Sequence, residues 1–199
     1  MTQPPHETTA TNCAPPVPQS VMTASRNELS DVQLDCIWGE VPQDLHGHIF
    51  IATPVGSIES GGIPYADGTP TLNGDGAVYR LDFDQPGRVR VTSSILKPPC
   101  YWADFATQTE PAYRKYRFGN HGLGRSSMYL GLRNELNTAV LPIRFTGDTL
   151  DRLLVCWDGG RPYEIDLETL EVATAVGWNA EWEPQAKTPL NFVFNPVMT

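Results

Sequence analysis

Basic charge is in short supply. Lysine and arginine number 14 against 23 aspartates and glutamates, a formal net charge of −9 over 199 residues. Nucleic-acid binding needs clustered cations to neutralise phosphates, and this balance argues against it. The one dense basic run, Arg114-Lys115-Tyr116-Arg117, reads as a solvated surface patch. Cysteine is sparse and scattered. Cys13, Cys36, Cys100 and Cys156 form no Cys-x-x-Cys pair, which argues against a zinc ribbon or finger. Cys156, inside an apolar run, is expected to act as a small buried hydrophobe. No stretch of about 18 apolar residues is present to cross a bilayer. Residues 1–20 hold no apolar run of signal-peptide length, so a reducing, cytoplasmic setting is the expectation. Histidine is equally rare: His6, His46, His48 and His121 are all there are.

Proline (18) and glycine (17) are plentiful, and 40% of residues are hydrophobic. That combination favours short strands and many turns around a real core. Residues 1–25 are rich in Pro, Thr, Gln and Ser and are expected to form a disordered tail. Residues 26–199 are expected to form the folded part. A glycine turn feeds a β-branched run at residues 48–52. A long Gly/Pro/Asp-rich loop follows from Gly56 to Gly76. Residues 77–83 alternate, with Val78 and Arg80 on one face and Tyr79, Leu81 and Phe83 on the other. The turn Asp84-Gln85-Pro86-Gly87 returns the chain through residues 88–95, which predicts a β-hairpin. Pro98-Pro99 stops that strand, and residues 102–116 are expected to hold one or two helical turns.

Strands are predicted again at 138–145, 150–157 and 162–166, joined by tight turns at Gly147-Asp148 and Asp158-Gly159-Gly160. Three antiparallel strands in so short a span make most of one propeller blade, which takes about 40–45 residues. Residues 27–199 have room for at most about four such blades. A propeller must close to protect its edges. Residues 191–199 are apolar with no terminating signal, so the expectation is an incomplete β-propeller whose polypeptide continues.

Three segments together resemble the carotenoid cleavage oxygenase family, which includes stilbene-cleaving enzymes and the retinal pigment epithelium isomerase. They are Gly39-Glu40-Val41-Pro42-Gln43-Asp44-Leu45-His46-Gly47, then Asn73-Gly74-Asp75-Gly76-Ala77-Val78-Tyr79, then Asn137-Thr138 with residues 153–163 and 166–170. The sequence departs from the family pattern at Ile51-Ala52-Thr53, where Arg-Asn-Gly is usual before Pro54. It departs again at Ala77 (usually Met), Tyr79 (usually His) and Asp158 (usually Glu). These differences mark a divergent subgroup.

The resemblance implies an all-β fold, the N-terminal blades of a seven-bladed β-propeller. It implies Fe(2+) on the propeller axis, held by four histidines from different blades. Imidazole suits Fe(II), and neutral ligands leave the metal cationic with positions open to O2. The implied activity is dioxygenase cleavage of a conjugated C=C bond in a carotenoid, apocarotenoid or stilbene-like substrate. None of the four histidines here matches a ligand position of the family, and the first ligand would follow a stretch like Pro196-Val197-Met198-Thr199. The iron ligands are therefore expected outside this chain, which would be inactive alone. Asp158 stands where the family places a carboxylate that holds a ligand histidine; it also suits an Asp-Gly-Gly turn by itself.

His46 and His48, two apart, would share one face of a strand as a possible metal pair, or are simply surface turn histidines. Gly74-Asp75-Gly76 lacks the Gly-Lys-[Ser/Thr] of a phosphate loop and the acidic spacing of an EF-hand, so it reads as a tight loop feeding a strand. Pro98-Pro99-Cys100-Tyr101-Trp102 with Phe105 lies where the family has a nonpolar segment for peripheral membrane contact, or packs on a neighbouring blade. The alternatives to an enzyme are a non-catalytic propeller binding module and a truncated product without a stable fold.

Overall fold

The computed structural model describes residues 26–56, 73–121, 124–178 and 181. The predicted tail, residues 1–25, lies outside the described residues, as does most of the predicted loop after Gly56. The described residues hold eleven strands, one α-helix and one 3-10 helix, joined by turns and loops.

The first sheet has four strands: β1 (Val32–Leu34), β2 (His48–Val55), β3 (Asp75–Asp82) and β4 (Val89–Ile95), in the order β1-β4-β3-β2. The predicted hairpin is β3–β4, antiparallel from Ala77↔Ile95 to Asp82↔Arg90. Its turn closes where Arg88 N–H meets the Gln85 carbonyl at 3.0 Å, and Gly87 takes φ +70° there. β3 starts two residues earlier than the alternation suggests. Gly76 pairs with Pro54 in β2, and glycine is required there because a side chain would put Cβ 2.1 Å from the Leu136 carbonyl oxygen. Within residues 73–76 the turn is thus confined to Asn73-Gly74, and Asp75 and Gly76 already belong to the strand it feeds.

Pro98-Pro99 does stop β4. Pro99 then opens α1 (Pro99–Thr109), three turns long rather than one or two, because Pro fits the first helical position and its missing N–H costs nothing there. A 3-10 helix (Pro111–Tyr116) follows. A small sheet comes next, in the order β5 (Gly119–Asn120), β6 (Arg125–Ser127), β7 (Gly131–Leu132).

The last sheet contains the predicted three strands and adds a fourth. It consists of β8 (Ala139–Ile143), β9 (Arg152–Cys156), β10 (Tyr163–Ile165) and β11 (Val172–Ala175), in the order β11-β10-β9-β8. The Asp166–Leu170 corner is held by the Asp166 carboxylate, which accepts N–H bonds from Glu168 (2.9 Å) and Thr169 (2.8 Å). Those bonds, Thr169's first, keep the Asp166 carboxyl below its usual range. Cys156 is half-buried, while among the described residues Cys100 is the cysteine that is fully buried.

Both faces of the first sheet are used. Val78, Leu96 and Leu136 join Leu153, Val155, Tyr163, Ile165 and Leu170 of the last sheet in one core. On the other side Val55, Ala77 and Ile95 pack with Tyr101 of α1. The two four-stranded sheets are therefore stacked neighbours, as propeller blades are. Arg80 ties them by donating to the carbonyls of Leu167 (2.6 Å) and Glu168 (3.2 Å).

Candidate functional site

Asp158 sits in the turn that leaves β9 and is exposed. Its turn is braced from behind. A side chain on Gly159 would meet the Trp157 ring at 2.7 Å, and one on Gly160 would meet the Asn134 amide at 2.5 Å. Thr138, the residue that leads into β8, donates its N–H to the Cys156 carbonyl at 3.1 Å. Asp158 and Asn137-Thr138 therefore lie at the same end of this sheet.

The histidines do not gather. His46 lies in the turn ahead of β2, so the strand-borne His46/His48 pair is not formed. His48 instead faces two aspartates, Asp82 and Asp84. His121 follows β5, and His6 is outside the described residues. Among the described residues no three histidine nitrogens lie together. They do not fit a four-imidazole iron site, so no chemical step is assigned to an iron in this chain.

Beneath the Asn137-Thr138 end lies a cluster that sequence reading missed. Asp75, Asp104, Arg125, Arg133 and Glu135 are all buried. Arg133 Nη1 meets Asp75 Oδ1 at 2.5 Å, and its Nε meets Asp104 Oδ2 at 3.0 Å. Arg125 Nη1 meets the same Asp104 oxygen at 2.6 Å. Arg26 closes the far end, 2.6 Å from Asp75 Oδ2 and 3.1 Å from the Tyr101 hydroxyl. The Tyr101 ring lies under two guanidiniums, Arg26 at 5.9 Å and Arg133 at 5.7 Å. The cluster joins β3, α1, β6 and the segment that enters β8. Desolvation disfavours the charge on Arg133, but the buried acidic groups beside it, Asp75 first, outweigh it and hold its pKa above the ordinary value.

Glu135 is the odd member. Its Oε2 accepts from Asn137 Nδ2 at 3.4 Å, and the same amide donates to the Gly74 carbonyl at 2.9 Å. Its Oε1 has no hydrogen-bond partner among the described residues. Burial pushes its pKa up to about 8, with Arg133 and Arg125 opposing. Glu135 therefore keeps its proton at neutral pH, leaving three arginines against two aspartates. Of these residues only Asp75 falls in a segment singled out from the sequence, the glycine-flanked Gly74-Asp75-Gly76; Asp104, Arg125, Arg133 and Glu135 belong to no recognisable motif.

The helix splits the predicted apolar segment. Cys100 and Tyr101 point inward, whereas Trp102 (55%) and Phe105 (46%) are exposed and meet edge to face with ring centroids 6.4 Å apart. No helix among the described residues is long and apolar enough to cross a membrane.

Comparison with known proteins gives consistent matches. The family model described as retinal pigment epithelial membrane protein matches residues 22–190. The apocarotenoid-15,15'-oxygenase of Synechocystis sp. is 29% identical over 167 residues, covering 80% of this chain and 31% of that protein. A glutamate-to-aspartate variant of the Synechocystis apocarotenoid oxygenase superposes with a TM-score of 0.57 at 23% identity, over 78% of this chain and 30% of the other. The cobalt-substituted Synechocystis enzyme gives 0.55 at 23% identity, over 77% and 30%. The chain thus spans about three tenths of the length of the relatives it matches. The likeness establishes the fold: the described sheets are blades of a seven-bladed β-propeller.

Proposed function

Because this chain belongs to the retinal pigment epithelial membrane protein family, the carotenoid and apocarotenoid oxygenases, we propose that it forms the first blades of a non-haem Fe(2+)-dependent dioxygenase. The substrate class is a hydrophobic conjugated molecule, an apocarotenoid, carotenoid or stilbene-like compound, cleaved at a C=C bond with O2. The observation that carries this reading is the match to an apocarotenoid oxygenase over 80% of the chain. A relative that accepts cobalt supports a metal cofactor. The iron-holding imidazoles are then supplied by polypeptide beyond the residues described here. The test is expression of the full-length protein, with an iron assay and product analysis on an apocarotenoid and a stilbene. Stoichiometric iron and a cleaved product are the expected results; a metal-free protein inert on both substrates would remove the proposal.

Within that reading Asp158 positions an iron-ligating histidine through its ring N–H. It is one methylene shorter than the glutamate usual in the family, so a bridging water would complete the link. In the full-length protein Asp158→Ala should lower iron occupancy about 10–100-fold in affinity, and Asp158→Glu should restore it. Unchanged iron content in Asp158→Ala would leave Asp158 as a turn residue only.

Trp102 and Phe105 form the apolar part of a peripheral membrane contact through which a lipid-like substrate enters, on an otherwise cytoplasmic protein. Replacing both with serine should abolish most flotation with liposomes while leaving the melting temperature unchanged. Equal flotation would place the contact elsewhere.

A further inference from the structure

We propose that His48, Asp82 and Asp84 form a surface site for a divalent transition-metal ion, Zn2+ in the first instance, on the first blade. The site is independent of the iron centre of the preceding proposal and does not rest on it.

The fold builds this group from residues far apart in sequence. Antiparallel pairing of β2 with β3 sets His48 opposite Asp82. The turn after β3 then carries Asp84 back over the same end. His48 Nε2 lies 3.4 Å from Asp82 Oδ2 and 3.4 Å from Asp84 Oδ2. All three candidate ligand atoms lie within 4.8 Å of one another.

The spacing matters. Two ligands on a tetrahedral zinc, each about 2.0–2.2 Å from the metal, stand about 3.4 Å apart. A direct N–H···O bond is shorter, about 2.7–3.2 Å. The imidazole is thus held at ligand separation from two oxygens rather than in tight contact with one.

Each carboxylate is already aimed. Asp82 Oδ1 accepts the Asp84 N–H at 2.9 Å, and Asp84 Oδ1 accepts the Gly47 N–H at 3.3 Å. The Oδ2 atoms are left pointing toward His48. Phe83 N–H, bonded to the Gly47 carbonyl at 3.0 Å, locks the two turns together beneath them. Outer hydrogen bonds that fix ligand orientation are a regular feature of built metal sites. The side chains are 37%, 28% and 58% exposed, so an ion can enter and a fourth coordination position stays open to water.

The donor set selects the class of metal. One imidazole with two carboxylates is too poor in oxygen for Ca2+, which takes six to eight oxygen ligands, and Mg2+ favours carboxylates with water. Borderline ions such as Zn2+ and Co2+ suit a mixed nitrogen and oxygen set. Bound there, the ion would pin the β2–β3 end to the turn that follows it.

The test uses this 199-residue chain at neutral pH. Co2+ is added and visible absorption recorded, then Zn2+ is titrated in competition, and the melting temperature is followed with Zn2+. Wild type should show tetrahedral cobalt bands displaced by one equivalent of Zn2+, and a rise in melting temperature with Zn2+. Asp82→Asn and Asp84→Asn should each lose the bands and bind Zn2+ at least about tenfold more weakly. His48→Gln should do the same, whereas His46→Gln should bind as wild type. Absence of cobalt bands in wild type, or bands that survive in all three ligand variants, would overturn the proposal.

Discussion

Asp104→Ala should destabilise this chain by about 3–5 kcal/mol, the cost of breaking a buried ion pair by removing one partner. Asp104 is fully buried and faces two arginines through one oxygen, Arg125 at 2.6 Å and Arg133 at 3.0 Å. Without it, two guanidiniums remain in the interior, where the acidic groups near them among the described residues are Asp75 and the protonated Glu135. Desolvation already pulls the Arg125 pKa below its ordinary value, with Asp104 the leading opposing influence. Asp104→Asn separates charge from volume. It keeps the shape and loses the charge, so it should cost nearly as much as alanine. Asp151→Ala is the matched control, since Asp151 pairs with Arg144 at 2.8 Å on the surface, where both side chains are 58% exposed. That loss should stay within about 1 kcal/mol. Urea unfolding of the four proteins measures all of this. An Asp104→Asn midpoint equal to wild type would mean that packing, not charge, holds this junction.

The second large effect is on pH. Glu135 holds its proton in the folded chain up to about pH 8, against 4.5 for the ordinary carboxyl. Between those values the folded state binds more protons than the unfolded state, so stability falls as pH rises. The stabilisation is fully present below pH 4.5 and is gone once the pH has passed 8. Within the window the slope is about 1.4 kcal/mol per pH unit. The groups around Glu135 set this behaviour: Arg133 and Arg125 favour its ionised form, Asp75 opposes it, and Asn137 donates to it. Glu135→Gln keeps the shape and removes the titration. Its urea midpoint should match wild type near pH 5 and exceed it near pH 8.5. The other perturbed carboxylates, Glu28, Asp31, Asp148 and Asp166, are held below their ordinary values and act at lower pH. They cancel in the comparison. Parallel curves for the two proteins from pH 5 to 9 would show that Glu135 is ionised in the fold.

Much of the architecture was legible in local pattern. The β3–β4 hairpin follows from alternation broken by Asp-Gln-Pro-Gly, and the last blade from three short alternating runs with turn residues between them. Period-two alternation is a local property, and turn chemistry acts over four residues. The helix was underestimated because Pro98-Pro99 reads as a break, while in space Pro99 begins α1. The buried ion cluster was not legible. Arg125 and Arg133 have surface-type side chains, and nothing in their neighbourhoods announces that Asp104, more than twenty residues away in sequence, will neutralise them. The His46/His48 spacing could not show that Asp82 stands opposite His48, because cross-strand register decides what faces it.

The order and spacing of three short segments by themselves placed this chain in its family and set its blades, since strands and turns are encoded within a few residues. Tertiary structure alone decided which charges are buried together, which carboxyl keeps its proton, and which side chains meet at the β2–β3 end. Those outcomes depend on distance and dielectric between residues remote in the chain, and neither quantity is written in any local stretch of sequence.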